Sequence, residues 1–229
     1  MRKSNPQNVR DDFAAGLADI ASFYATAHAA ISRDRDRTFL AESTLISTAV
    51  LWEGYVSDLF LAYINRDAGH FAEHLQNALN EALEGKPRRI LDTFGPVTIP
   101  AHLTKAVIEE LMDPRGSNLT FRNSEELRDG AARYLTPAHR AGIEGLNDQD
   151  QKTIDALIAV RNHLAHRSGQ SHNTMNQVLA LGALHPTGLQ RGVRNLHLVG
   201  PWLKARPTPQ QSTRVEIFLA RIGAIAAAI

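Results

Sequence analysis

One short string near the end of a helical segment holds the side-chain types that phosphoryl chemistry needs. Arg161-Asn162-His163-Leu164-Ala165-His166 places a guanidinium, a carboxamide and two imidazoles within about two turns of helix. A histidine titrates near neutral pH and can take and return a proton there. An arginine beside it can stabilise a phosphorane-like anion as it develops. Asn162 can orient a phosphate or a ribose hydroxyl. Base, electrophile and orienter together suit cleavage of RNA by its own ribose 2′-hydroxyl, which needs no metal and no cofactor. A helix C-terminus dressed with cations that complement its dipole would account for His166 and Arg167 without chemistry.

The element that carries this string is expected as a helix over ~148–167. Ile154, Leu157, Ile158, Arg161, Leu164 and Ala165 recur at the spacing of one helical face. At about 100° per residue, Arg161 falls within roughly 20° of the centre of that apolar stripe. A buried, unpaired guanidinium is costly, so a carboxylate or other anion should meet it. Glu53, on a second helix expected over ~38–65, is likewise an acid on an apolar flank beside Trp52 and Phe60. Pairing across the helix interface is expected, as a structural ion pair or as the device that poses the guanidinium. On the same wheel Asn162 and His166 stack on the flank of the stripe, beside a cleft, while His163 points away from it and faces out.

The resemblance carried by these residues is to the HEPN superfamily. Arg161-Asn162-x-x-x-His166 resembles its Arg-x(4–6)-His signature, and Leu51-Trp52-Glu53-Gly54-Tyr55-Val56-Ser57-Asp58-Leu59-Phe60 resembles its acidic helix as found in RiboL-PSP-type members. The likeness covers about 8–66 and 148–184; the stretch between matches nothing nameable. It implies an all-α HEPN-like helical bundle acting as a homodimer, whose paired motifs form one cleft for metal-independent endoribonuclease activity. Arg161, Asn162, His166 and Glu53 would be the catalytic set and RNA the substrate. A toxin or antiviral-defence effector, with a possible antitoxin partner, is the implied role. A HEPN-type binding or scaffold module without catalysis is the alternative.

Elsewhere helix signals dominate. Phe13, Leu17, Ile20, Phe23 and Tyr24 mark a helix over ~8–32, with Arg33-Asp34-Arg35-Asp36-Arg37 as a solvated charge run at its end. Further helices are expected at ~70–84, ending on Gly85 as a C-cap, and at ~101–112, 124–135, 137–146 and 171–184. Residues 85–100 read as a loop, and Asp113-Pro114-Arg115-Gly116 as a turn. An irregular insertion over about 185–211, with Leu196–Val199 as a short strand or extended piece, precedes a final helix capped by Ser212 or Thr213. One domain over 1–229 is expected.

Lys86, Arg88 and Arg89, with Arg167, are the expected RNA-backbone contacts, and Arg191, Arg194, Lys204 and Arg206 form a later basic group. Scattered solvated charges are the competing explanation. His70-Phe71-Ala72-Glu73-His74 matches the His-x-x-Glu-His pattern of inverted zincins, a zinc-peptidase reading that lacks an identifiable third ligand. Composition bounds the rest. An apolar fraction of 43% and a charged fraction of 21% are those of an ordinary globular protein, and a net charge of +1 requires any basic patch to be local. The chain has 0 cysteines, which excludes disulfides and thiolate metal sites and fits the cytoplasm. The N-terminal residues lack a continuous apolar stretch, so no signal peptide is expected. The apolar C-terminal stretch from Ile217 is too short to span a bilayer, so no membrane association is expected.

Overall fold

The computed structural model describes residues 4–95, 97, 99–100, 102–113 and 119–229. The expected turn at Pro114-Arg115-Gly116 lies outside the described residues. Among those described there are eleven α-helices, one 3-10 turn and no strand: an all-α bundle.

The first helix, α1 (Pro6–Ala30), begins where Asn5 Oδ1 accepts the Gln7 N–H at 3.1 Å and Pro6 supplies a preset φ at the first position. The charge run that follows is not the tail of α1. It opens α2 (Asp34–Arg66), with Asp34 and Asp36 in the first turn, where carboxylates favour the positive end of the dipole. Arg37 closes the connection by donating from Nε to the Ile31 carbonyl at 2.7 Å.

The helix α3 (Gly69–Ala82) stops at Leu83, and Gly85, with φ +64°, does not cap it but starts α4 (Gly85–Phe94). The loop expected over 85–100 is therefore helical for its first ten residues. Pro87 is tolerated because it sits in the first turn, where its N–H has no helical partner to lose. Arg88 and Asp92 add an i,i+4 pair at 3.2 Å. No side chain of α4 is buried.

The chain continues through α5 (Lys105–Met112), α6 (Ser124–Tyr134), α7 (Pro137–Glu144), α8 (Asp148–His166) and α9 (Gly169–Leu179). A 3-10 turn (Gly182–Leu184), α10 (Val199–Lys204) and α11 (Arg214–Ala228) complete it. Thr213 is the cap of α11, in a reciprocal capping box with Glu216.

Helix α2 is the axis: α1, α8, α10 and α11 all pack on it, and Trp52, Tyr55, Leu59, Phe60 and Ile64 are buried along it. Among the described residues it is the one helix long and apolar enough to cross a membrane. Yet 61% of its most apolar window lies buried in the fold, as in a central core helix. Its tyrosines hold the chain's last turn. Tyr55 Oη donates to the Ala226 carbonyl and Tyr63 Oη to that of Ile229, each at 2.8 Å. Burial pushes both hydroxyls' pKa values up, so they remain donors.

Helix α8 is fixed from several sides. Arg221 on α11 reaches Asp150 at 2.8 Å and Thr153 at 3.1 Å, and Asp155 accepts the Ser124 N–H at the start of α6 at 2.7 Å. Of the short strand or extended piece expected at Leu196–Val199, residues 196–198 run as non-helical chain without a strand partner and Val199 opens α10, while Leu196 pairs with a single side chain. Buried Asn176 on α9 accepts the Leu196 N–H at 2.6 Å and donates to its carbonyl at 3.2 Å. This side chain does for one residue what a neighbouring strand would do. Asn176→Ala should cost about 1–3 kcal/mol, by stranding the Leu196 N–H, while the Leu196 carbonyl keeps His172 Nε2 at 2.9 Å, and should speed amide exchange at Leu196. Exchange no faster than in the parent would disprove the clamp.

Candidate functional site

Arg161 and Glu53 meet. Arg161 Nη2 lies 3.3 Å from Glu53 Oε2, and Arg161 Nη1 donates to Asn162 Oδ1 at 3.0 Å. Their side chains are 27% and 24% exposed, so the pair sits at the rim of the core and not inside it. The reason is where α8 leaves the bundle. Thr153 to Val160 are mostly buried, whereas from Arg161 onward every residue of the helix is partly or wholly open. The pair is thus a half-solvated contact of modest stabilising value, and the burial expected from the apolar stripe is corrected accordingly. Two contacts engage two of the guanidinium nitrogens; a guanidinium carries five N–H donors, so donors remain for an anion.

His166 is the last residue of α8. Its side chain is exposed and makes no hydrogen bond, ion pair or ring contact among the described residues. Asn162 stands one turn before it. Arg167 caps the helix in the left-handed region at φ 49°, with its N–H on the His163 carbonyl at 2.8 Å. Ser168 then caps α9 by accepting the Ser171 N–H at 3.1 Å. Through this turn α9 folds back along α8.

That fold-back corrects the expectation for His163. The side opposite the stripe is covered, and His163 is half-buried with Nδ1 3.4 Å from Ser171 Oγ and its ring edge-on to His172 at 5.4 Å. Burial, then the neighbouring His172 and Arg167, lower its pKa; Glu42 opposes them. A cleft lies beside it, lined by Glu42 of α2, Arg167 and His197. Glu42 and His197 were not singled out in the sequence, because nothing in their local spacing shows that α2 and the late segment face one another.

The basic groups divide. Lys86, Arg88 and Arg89 lie exposed on α4, and the bonds of Arg88 stay within α3 and α4, to Asn80 and Asp92. Of the later group, Arg191 is spent on the carbonyls of Asn176, Gly192 and Val193, and Lys204 on Asp34. Arg194 and Arg206 stay exposed.

The His70-Glu73-His74 motif is used in packing. His70 Nε2 lies 2.9 Å from the Ala132 carbonyl, so that nitrogen carries a proton and donates, and Nδ1 faces Glu73 at 3.8 Å. His74 sits edge-on against Tyr134 at 5.3 Å, and burial lowers its pKa. Among the described residues no three histidine or acidic side chains are grouped to hold a metal ion.

Residues 11–180 match the RiboL-PSP-HEPN family model, most of the chain and both helices of the Glu53–Arg161 pair. The chain belongs to the RiboL-PSP-HEPN family. The match also takes in the stretch between 66 and 148, which the sequence motifs left unassigned, so α3 to α7 are part of the RiboL-PSP-HEPN unit and not foreign to it. The segment after 180, with His197, lies beyond the match. No curated protein and no solved structure matches significantly. Membership ties the chain to RNase-like or nucleotide-related function at the level of the family.

A pH dependence follows from four partly buried imidazoles. His28, His74, His139 and His163 all have pKa values lowered from 6.5, burial being the largest cause in each. The folded state disfavours their protonation, so below about pH 6.5 the unfolded chain takes up protons first and stability falls with acidification. The denaturation midpoint should drop between pH 7.5 and 5.5. A flat profile across that window would contradict the assignment.

Proposed function

We propose that this RiboL-PSP-HEPN protein is a metal-independent endoribonuclease. The observation that carries the reading is the Arg161 guanidinium, held by Glu53 and Asn162 with N–H donors to spare, at the same open end of α8 as the exposed His166. In the proposed step His166 removes the proton of a ribose 2′-hydroxyl. The freed oxygen bonds to the adjacent phosphorus, and the bond from phosphorus to the 5′-oxygen breaks. That oxygen leaves with a proton from a second histidine, giving a 2′,3′-cyclic phosphate and a 5′-hydroxyl end. Arg161 stabilises the charge on the non-bridging oxygens in between, and Asn162 fixes the pose of Arg161.

The second histidine is the reason for proposing a homodimer. One chain offers one exposed histidine in the motif, and an isologous pair with its His166 ends facing across a two-fold axis supplies the other. RNA is the proposed substrate, with Arg167, Lys86, Arg88 and Arg89 as candidate backbone contacts. A cytoplasmic toxin or defence effector, held in check by an antitoxin, is the role this activity would serve. A binding or scaffold module without catalysis is favoured by one observation: among the described residues of the chain His166 has no hydrogen-bond partner to orient it.

Purified protein incubated with RNA in EDTA should cleave it, and His166→Ala should reduce the rate by about 10²–10⁴-fold, the usual worth of general acid–base catalysis. Arg161→Ala should abolish cleavage as well while remaining folded by circular dichroism. Undiminished cleavage by folded His166→Ala would defeat the assignment. Light scattering should give a dimer at micromolar concentration, and a fully active monomer would refute the composite cleft.

A further inference from the structure

Opposite charges line one cleft and do not meet. Between α2, α8 and the segment entering α10 lies a cleft of about 330 Å³, at the lower end of the size range of small-molecule sites. Glu42 stands on the α2 side, His163, Leu164 and Arg167 on the α8 side, and His197 and Leu198 on the third. Among the described residues neither the Glu42 carboxylate nor the Arg167 guanidinium has a hydrogen bond or an ion pair. Glu42 leans towards Gly200, where a side chain would come within 2.5 Å of its carboxylate, yet it accepts no bond from that backbone. A partly buried acid and a cation facing one cleft without pairing leave an acceptor and a donor set to be used by something else.

The third wall supplies a flat surface. His197 stacks on His172 at 5.2 Å between centroids and 24° between planes, and His172 in turn meets His163. The Asn176 clamp on Leu196 fixes the neighbouring residue and so the approach of His197. Unstacked RNA bases are held on aromatic and imidazole rings in this way, with their edges read by hydrogen bonds. Burial lowers the pKa of His163 and so favours its uncharged form beside Glu42.

We propose that this cleft is a base-recognition subsite for an unstacked guanine of single-stranded RNA, a reading that rests on the proposed cleavage at the adjacent His166. Guanine is the base that presents two neighbouring donors, N1–H and the 2-amino group, to one carboxylate. Adenine and cytosine set a ring-nitrogen acceptor beside their amine, and uracil flanks its one N–H with carbonyls. The O6 and N7 acceptors of guanine, on its other edge, are the atoms an arginine reads best. Arg167 directly follows His166 in the chain, so the recognised base would lie next to the cut.

The test uses the uncleaving His166→Ala protein and fluorescence anisotropy with a short labelled oligouridine carrying one central guanosine, inosine, adenosine or uridine. The guanosine oligomer should bind about tenfold more tightly than the inosine one, which lacks only the 2-amino group. Glu42→Gln, folded by circular dichroism, should erase that difference, and Arg167→Ala should weaken guanosine and inosine binding more than adenosine or uridine binding, beyond the uniform loss expected of a backbone contact. Equal affinity for all four oligomers, or a guanosine preference untouched by Glu42→Gln, overturns the subsite. Guanosine monophosphate competing as tightly as the oligomer also overturns it, in favour of a free-nucleotide site. Cut-site mapping with the His166-intact protein separates the two readings. Cleavage without base preference removes the subsite and leaves the nuclease standing. No cleavage, with the Glu42-dependent preference intact, removes the nuclease and leaves the subsite.

Discussion

A helix that is apolar nearly all the way round cannot be left with a wide face in water, and α2 is such a helix. Seventeen of its 33 residues are buried. Each buried aliphatic or aromatic side chain contributes roughly 1.5–3 kcal/mol relative to exposure, so the drive to cover α2 outweighs any single polar contact in the molecule. Helices α1, α5, α8, α10 and α11 supply the cover. The candidate site is a product of that covering. Helix α8 lies along α2 until its fully buried residues end at Val160, and the next residue, Arg161, emerges beside Glu53 at the boundary.

That boundary position suits chemistry better than the deep pairing the apolar stripe suggested. A fully buried ion pair would leave its guanidinium no donors for a substrate and would be costly to desolvate. At the rim, Arg161 is oriented by two neighbours and still reachable. The candidate string therefore sits where the helix changes from scaffold to surface.

Much of this was legible in the residues. The periodicities of α1, α2 and α8 are strong, and two charges misplaced on apolar faces were enough to pair Glu53 with Arg161. What stayed hidden has a common physical cause: a helical wheel knows one neighbour. His163 lies opposite the stripe, yet α9 folds back over it, and only the turn at Arg167 decides that. Helix α4 was obscured because Gly85 and Pro87 are read as breakers, although a first turn accepts both. The charge run after α1 was misread because alternating charges look the same at the end of one helix and at the start of the next. Arg221, half-buried on the last helix, repeats the logic of Arg161 by pairing with Asp150, a contact whose partner no local pattern indicates.

The turn between α8 and α9 carries one more consequence. At a helix C-terminus the left-handed conformation belongs by preference to glycine, and a residue with a Cβ gives up about 1–2 kcal/mol to adopt it. This chain has glycine two residues later, at Gly169, but places Arg167 in the left-handed position. The backbone would be more comfortable with the two exchanged. The Arg167 guanidinium has no hydrogen bond or ion pair among the described residues, so the side chain returns no pairing to the fold for the strain its backbone carries.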